Sequence, residues 1–270
     1  MSAVAVEARE FAGTVAAVAA RHPAPDDWRP GAAVSDADPA LDDALAEAGW
    51  DELGTDERLL GFAAPAAAAL GRAFGSLAPV DRLLGGALRS GALARYAQEG
   101  GTLVEPRAGE LVAARADRVV PVPYTDALGV ARVEAGPGEA AGGEQRFAAW
   151  TAASTGYLAG LAEESLRLAL EHARARHAFG APLTALEPVQ QMLADAATLV
   201  DGLGLLAREE VPGPDALAHA GEAAERAVAT CMQVTGALGF TLEFPLQRAY
   251  RRSRAARAWA DAALIAWEGP

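Results

Sequence analysis

The stretch ARARHAFGAPL, residues 173–183, combines features that a plain helical chain does not need. It places Arg174, Arg176 and His177 at the end of a predicted helix, directly before Phe179-Gly180. Cations in the last turn of a helix complement its dipole, which accounts for the charge alone. That reading leaves the aromatic–glycine pair unexplained. An aromatic ring beside a guanidinium, with a glycine that allows close backbone approach, suits a nucleotide: the ring lies against the base and the arginine against the diphosphate.

A second stretch, QVTGALGFTLEFPLQRAYRR at 233–252, has a similar double interpretation. Gly236 is placed to end one predicted helix, Gly239 follows after a short turn, and the next helix starts near Pro245. This pattern is typical of an ordinary helix–loop–helix with glycine caps. Backbone N–H groups at such an exposed corner can also bind phosphate oxygens.

The chain divides by pattern into helical, β-prone and helical parts. We expect an N-terminal helical domain at 1–99, a reduced β-domain and linker at 100–143, and a helical bundle at 144–270. The β-prone runs, separated by Pro, Gly and Asp, predict about four strands, namely Thr102–Glu105, Glu110–Ala114, Arg118–Val122 and Leu128–Val133. The run GPGEAAGGE, 136–144, is interpreted as a linker because it lacks the Lys-Ser/Thr of a phosphate loop. The fold class is therefore mainly α with a small β insert (α+β).

Apolar periodicity predicts the helices themselves. Asp38 is placed to cap a helix that begins at Pro39. In the C-terminal part, four helices are expected: from Phe147 to about His177, through the Val189–Leu203 stripe, over 215–235, and from about Pro245 onward. Four antiparallel helices would bury these stripes against one another as a four-helix bundle.

Composition limits the class of function. The 270 residues carry a formal net charge of −13 and are 51% hydrophobic, so the chain can build a core. The negative charge argues against nucleic acid or an anionic membrane as main partner. The single cysteine, Cys231, excludes an internal disulfide and lies in an apolar helical run, which predicts a buried thiol. There is no apolar run of membrane-spanning length and no secretion signal, so we expect a soluble cytoplasmic protein.

The four histidines do not form a metal site. His172 and His177 are five residues apart and point to different faces of a helix. His22 near Asp26 and His219 near Asp215 lack further ligands. We therefore expect no metal.

Taken together and in this order, the two stretches resemble the C-terminal domain of the acyl-CoA dehydrogenases. The matching residues are Arg176, Phe179-Gly180, Pro182-Leu183, Val189-Gln190, Leu193-Ala194-Asp195, Gln233, Gly236, Gly239-Phe240, Glu243, Pro245-Leu246, Arg248 and Tyr250-Arg251. This resemblance covers the chain from about Phe147 onward. A looser one covers LAEAGWDEL at 45–53 and AAAALGRAFGSLAPV at 66–80.

The resemblance implies FAD and the α,β-dehydrogenation of an acyl-CoA thioester. In that family the flavin lies across a dimer interface, and the C-terminal domain of one subunit contacts the FAD of its neighbour. The resemblance assigns seven residues of this chain to that FAD contact: Arg176, Phe179, Gly180, Gln233, Gly236, Gly239 and Phe240. The anion expected at Arg176 is then the FAD diphosphate.

The departures from the family pattern are as informative as the matches. Ala178 and Ala237 replace a Gln and a Gly, and the usual flavin and substrate strand is not recognisable. At the two positions where branches of the family carry the catalytic Glu, this chain has Trp150 and Ala260. We therefore assign no catalytic residue.

A chain with half a flavin site and no base suggests complementation. It resembles the reduced subunit of α2β2 acyl-CoA dehydrogenases such as the actinobacterial steroid side-chain enzymes, which implies a catalytic partner subunit. Two alternatives stay open: a self-sufficient homodimer using Asp261 or an unaligned Glu, and a scaffold that has lost flavin binding.

Overall fold

The computed structural model describes residues 3–23, 35–123, 128–209 and 211–269. The α-helices are α1 (Ala3–Arg21), α2 (Pro39–Glu47), α3 (Leu60–Arg72), α4 (Ala78–Arg82), α5 (Glu144–Ala175), α6 (Glu187–Leu206), α7 (Pro214–Thr235) and α8 (Leu246–Glu268). Short 3₁₀ helices lie at Trp50–Gly54, Glu57–Leu59, Leu183–Ala185 and Gly236–Phe240. The strands are β1 (Ala87–Ser90), β2 (Leu93–Arg95), β3 (Thr102–Arg107), β4 (Glu110–Pro121), β5 (Val130–Ala135), β6 (Glu139–Ala140), β7 (His177–Ala178) and β8 (Ala181–Pro182).

The β region is a small sheet that closes on itself. Strands β1, β2, β5, β4 and β3 pair in that order, and β3 also pairs with β1, in parallel, so these strands form a ring. Ala94, Leu103, Ala116 and Val133 fill its interior. These side chains are small enough for a ring of this size.

The sheet differs from the predicted strands in two respects. It begins at Ala87, before the expected boundary at residue 100, because β1 and β2 are too short to show an alternating pattern. The predicted strands at 110–114 and 118–122 are one strand, β4, whose register shifts between Ala116 and Arg118. That irregularity bends β4, so its first half pairs with β3 and its second half with β5.

The segment 136–144 is more than a linker. Its residues Glu139 and Ala140 form β6, which pairs with β4. Gly138 lies so close to the sheet that a Cβ atom there would be 2.4 Å from Val112 Cγ1. The interpretation of this segment as a linker did not anticipate β6, for which glycine permits close packing against β4.

Helices α3 and α5 cross at very short distance and hold the N-terminal helices to the bundle. A Cβ atom at Gly156 would lie 1.9 Å from the Ala64 carbonyl oxygen, and one at Gly160 would lie 2.0 Å from that of Ala68. Only glycine fits at these two positions. Around them, α3 and the first half of α5 are almost entirely buried.

Helices α5 to α8 form the C-terminal bundle in the predicted order. The predicted stripe of α6 faces inward, with Leu193, Ala196 and Leu203 buried. Cys231 on α7 is buried, and this burial raises the pKa of its thiol to about 12. Asp38 caps α2 by accepting a hydrogen bond from the Ala40 N–H, as the sequence predicted.

The C-terminus of α8 is capped by the β3–β4 turn. The N–H groups of Ala108 and Gly109 donate to the carbonyl oxygens of Ala266 and Trp267, at 2.8 and 2.7 Å. These carbonyls belong to the last turn of the helix, where no intrahelical donor is available. The Trp267 ring stacks on Phe147 of α5 with 3.9 Å between ring centroids. The end of α8 is thus fixed to both the sheet and the bundle.

Candidate nucleotide-contact site

The segment 176–180 forms the base and tip of a β-hairpin. The sequence predicted a helix end followed by a nucleotide contact here. Strands β7 and β8 are joined by Phe179 and Gly180, with φ of 53° and 81°. Two successive positive φ angles in a two-residue loop are typical of a type I′ turn. The hairpin is anchored at its base, where the Leu183 N–H donates to the Arg176 carbonyl at 2.8 Å.

Phe179 is both strained and exposed. A left-handed backbone costs a non-glycine residue about 1–2 kcal/mol. The side chain is 96% exposed, so no burial within this chain offsets the strain. Strained residues that persist in a fold are concentrated at ligand-contact sites. The ring is therefore accessible to a molecule outside the chain.

The end of α5 beside this ring carries positive charge. Arg174 and Arg176 are exposed, and within the described ranges no carboxylate forms an ion pair with either. The pKa of His172, one helical turn before Arg176, is lowered by partial burial and by the Arg176 charge. This imidazole is therefore neutral at neutral pH, and the two guanidinium groups provide the charge.

The glycine corner predicted at 236–240 is a 3₁₀ turn after α7. Gly236 ends α7 with φ of 59°, as expected of a capping glycine. Gln233 is exposed on the last turn of α7. Gly239 is buried, and a Cβ atom there would lie 2.2 Å from Thr235 Oγ1. The exposed surface of the corner is therefore formed by Gly236 and by the side chains around it rather than by Gly239.

Apolar side chains project from this corner into solvent. Phe240 is 65% exposed, and Leu238 and Leu242 are 41% and 50% exposed. The next residue but one, Phe244, packs edge-on against His172 of α5, with 6.3 Å between ring centroids. This contact places the turn that follows α7 beside the end of α5. The two stretches that the sequence singled out therefore lie at the same end of the bundle.

The two positions at which the sequence pattern led us to look for a base, Trp150 and Ala260, are buried. Trp150 is fully buried and donates its Nε1–H to Asp81 Oδ1 at 3.1 Å. Asp81 is held by Arg95, with Nε and Nη2 each 2.5 Å from a carboxylate oxygen. The Arg95 guanidinium in turn lies over the ring of Trp259, the neighbour of Ala260. Trp150 thus belongs to a buried cluster that reaches Trp259, the residue before Ala260.

Neither nearby carboxylate is arranged as a base. Burial raises the pKa of Asp81 and Arg95 opposes this, but both Asp81 oxygens are engaged. Asp261 has a side chain 44% exposed and lies 3.5 Å from Arg257 Nε, which is on the same helix. Because Arg257 also pairs with Glu225 of α7 at 3.0 Å, Asp261 faces the α7–α8 surface and not the interior beside Trp150.

A second buried ion pair was not expected from the sequence. Asp36 accepts hydrogen bonds from Ser76 Oγ and the Tyr96 hydroxyl at 3.0 and 2.9 Å, and it pairs with Arg252 of α8. Arg252 also donates to the Phe74 and Gly75 carbonyls. These partners are far apart in the chain and leave no local pattern. The one available signal was an extra arginine directly after Tyr250-Arg251.

Other candidate sites lie elsewhere or do not form. Cavities of about 410 and 290 Å³ are both on the β region, and no predicted site residue lines either of them. Among residues with a described position, no three His, Cys, Asp or Glu side chains are grouped as metal ligands. In the same residues, no helix is both long and apolar enough to cross a bilayer. Asp26, considered beside His22, lies outside the described residues; His22 pairs instead with Asp38, at 3.3 Å.

Comparison with known proteins relates the C-terminal part of the chain to one family. Residues 145–260 match the family model "Acyl-CoA dehydrogenase, C-terminal domain". The rat mitochondrial short-chain specific acyl-CoA dehydrogenase is 36% identical over 106 residues, which cover 35% of this chain and 26% of that protein. The cyclohex-1-ene-1-carbonyl-CoA dehydrogenase of Syntrophus aciditrophicus is 31% identical over 107 residues, 35% of this chain and 26% of that protein. The chain thus matches about a quarter of the length of these curated relatives.

Solved structures extend the likeness to the whole fold. The ChsE4-ChsE5 complex from Mycobacterium tuberculosis aligns with a TM-score of 0.71 at 18% identity, covering 97% of this chain and 94% of that one. A variant of the Tcur3481-Tcur3483 steroid ACAD aligns at 0.69 and 16% identity, over 94% and 93% of the two chains. Glutaryl-coenzyme A dehydrogenase aligns at 0.68 and 15%, over 97% and 94%. The chain has the acyl-CoA dehydrogenase fold: N-terminal helices, a middle β region and a C-terminal helical bundle.

Proposed function

We propose that this chain, whose residues 145–260 match the acyl-CoA dehydrogenase C-terminal domain, is the reduced subunit of a heteromeric, FAD-dependent acyl-CoA dehydrogenase. In this proposal the chain contributes part of the FAD site to a catalytic partner subunit. The partner provides the isoalloxazine pocket, the catalytic base and most of the acyl-CoA site. We place the assembly in the cytoplasm, in keeping with the single, buried cysteine.

One observation carries the proposal: the exposed Phe179 at the tip of a strained turn. A ring that is 96% exposed on a backbone with φ of 53° contributes little to packing among the residues that the structure describes. Arg176 stands at the base of the same hairpin without a carboxylate partner in the part of the chain that the structure describes. An aromatic ring and a guanidinium held together suit a flavin dinucleotide.

The chemistry of the residues present suits FAD. Arg176 would bind the diphosphate, for which guanidinium hydrogen bonds are well suited. Phe179 and Phe240 would contact flat parts of the cofactor, and Gly236 and Gln233 would line the corner beside them. When bound, FAD accepts the hydride that leaves Cβ of the acyl group. This chain's part is to hold and orient the dinucleotide, because Trp150 and Ala260 cannot remove the α-proton.

The comparison with solved structures supports the proposed partner and substrate class. Two similar structures are named for two proteins each, the ChsE4-ChsE5 complex and the Tcur3481-Tcur3483 steroid ACAD. These names support a two-subunit assembly, for which we propose α2β2. The name of the second also favours a steroid-derived acyl-CoA thioester as substrate. Asp261 does not provide an alternative base, because its carboxylate faces Arg257.

Flavin absorbance of purified protein tests the proposal. The chain is purified alone and after co-expression with an acyl-CoA dehydrogenase-like protein encoded beside it. We expect an oxidised-flavin spectrum in the complex and a colourless chain alone. In the complex, Arg176→Ala should weaken FAD binding about 10- to 150-fold, the loss of one charge-assisted contact. Arg58→Ala, an exposed arginine paired locally with Asp56, is the matched control and should leave FAD binding unchanged.

The other outcomes select the alternatives. Flavin bound by the lone chain, with bleaching on addition of an acyl-CoA, would indicate a self-sufficient homodimer. Colourless protein in both preparations, together with an unaltered partner activity in Arg176→Ala, would indicate a scaffold. Either result would refute the proposed role.

A further inference from the structure

We infer that His172 and Phe244 form a positioning contact that holds the β7–β8 hairpin and the 236–240 corner as one surface. The inference rests on the proposed function, because the surface it maintains is the proposed FAD contact. The two motifs are carried by different helices and are separated in the chain by more than fifty residues, from Gly180 to Gly236. A single cofactor can engage both only if their separation is fixed.

On the α5 side, His172 lies one turn before the hairpin. Its carbonyl accepts the Arg176 N–H at 2.8 Å, which is the last hydrogen bond of the helix. The hairpin begins directly after Arg176, so the last turn of α5 and the base of the hairpin share this hydrogen bond. A shift of α5 at His172 would therefore also move the base of the hairpin.

On the other side, Phe244 lies in the turn between the 3₁₀ helix and α8. Its N–H donates to the Thr241 carbonyl at 3.4 Å, a long and weak bond. The residues just before it project outward, with Phe240 65% and Leu242 50% exposed. The half-buried Phe244 ring is thus an inward anchor of a segment whose other large side chains face solvent.

The contact is aromatic in character and not ionic. The rings meet edge to face, with centroids 6.3 Å apart and planes at 67°. This is a preferred geometry for an aromatic pair. Partial burial and the Arg176 guanidinium lower the pKa of His172, so the imidazole acts here as a neutral ring. A phenylalanine at 172 should therefore preserve the contact, whereas an aliphatic residue at 244 should remove it.

The test compares two aromatic pairs of equal spacing. Phe244→Leu removes the ring contact at the site. Phe62→Leu is the matched control, because the Phe11–Phe62 centroids are also 6.3 Å apart and lie among the N-terminal helices. In the co-purified complex we expect Phe244→Leu to raise the FAD dissociation constant about three- to tenfold. Phe62→Leu should not raise it, although both variants lower the melting temperature. His172→Phe should keep affinity within about twofold of the unaltered complex.

A second measurement is made on the chain alone and needs no flavin. Hydrogen exchange at the Arg176 and Leu183 amides, both hydrogen-bonded at the hairpin base, should accelerate in Phe244→Leu and not in Phe62→Leu or His172→Phe. Unchanged exchange at these amides, or equal effects of Phe244→Leu and Phe62→Leu on FAD, would overturn the inference. Accelerated exchange with no flavin in any complex would leave the contact established and refute the proposed function instead.

Discussion

Helices α3 and α5 offer the sharpest test of the packing. Gly160→Ala adds one methyl group at a position where a Cβ atom would lie 2.0 Å from the Ala68 carbonyl oxygen and 3.0 Å from its Cα. Ordinary contact begins near 3.4 Å, so the two helices would have to separate by more than 1 Å. The obstructing atom is backbone, and no rotamer change can relieve the clash.

The magnitude follows from two opposing effects. Overpacking of this kind costs about 3 kcal/mol, the upper part of the usual range, because both helices are buried along the crossing. Replacing glycine by alanine inside a helix contributes about 1 kcal/mol of stability in return. The net loss is about 2 kcal/mol. For a chain of this size that lowers the melting temperature by about 4–8 °C.

Thermal unfolding monitored by circular dichroism measures this, and α6 provides the control. Gly202 is also inside a helix, and a Cβ atom there would meet nothing within 4 Å. Gly202→Ala should therefore gain about 0.5–1 kcal/mol and raise the melting temperature by about 1–4 °C. The two variants carry the same chemical change with opposite predicted signs. A Gly160→Ala variant as stable as Gly202→Ala would refute the close crossing of α3 and α5.

Three further predictions concern charge, strain and catalysis. Desolvation raises the pKa of Asp42 to about 6, so the folded state holds a proton that the unfolded chain releases near pH 4. The stability that this bound proton gives the folded state is full at low pH and is lost as pH rises through 6. Asp42→Asn should thus be more stable than the unaltered chain at pH 7, by about 1–2 kcal/mol after discounting for partial exposure. Urea unfolding at pH 4 and pH 7 measures this. A stability difference between the variant and the unaltered chain that does not grow with pH would contradict the raised pKa. Phe179→Gly should relieve the left-handed strain and raise stability by about 0.5–1 kcal/mol while weakening FAD retention in the complex. An FAD affinity that is unchanged or higher would show that the ring does not contribute to binding. Asp261→Asn should leave kcat of the complex within about twofold, since its carboxylate faces Arg257, and a loss of a hundredfold or more would identify it as the base.

The helices and the site motifs were predictable because their signals are local. The α6 stripe, the Asp38 cap and the Gly236 helix end each depend on residues within a turn or two of one another. The positions of Arg176 and Phe179 could be read from one short motif. Their presentation on a type I′ hairpin could not, because phenylalanine is an unusual residue for a positive φ angle.

The parts that escaped prediction depend on long-range packing. The strands β1 and β2 have four and three residues, too few to show a period. The Asp36–Arg252 pair joins residues 216 apart, and the Asp81–Arg95 pair joins α4 to β2. The sequence could show that Trp150 and Ala260 are not bases, but only the fold shows that Trp150 is hydrogen-bonded to this buried Asp81–Arg95 pair.

The cap on α8 limits how far this protein could be reduced by engineering. An isolated bundle of residues 144–270 would retain the hairpin and the glycine corner, and would look like a minimal flavin-contact module. It would, however, lose the Ala108 and Gly109 N–H donors. The Ala266 and Trp267 carbonyls, and the Trp267–Phe147 ring stack beside them, would then be exposed to solvent. The last turn of α8 would then fray. The small β region therefore stabilises the end of the bundle, and a truncated module would need a replacement cap near Gly269 to keep the last turn of α8 helical.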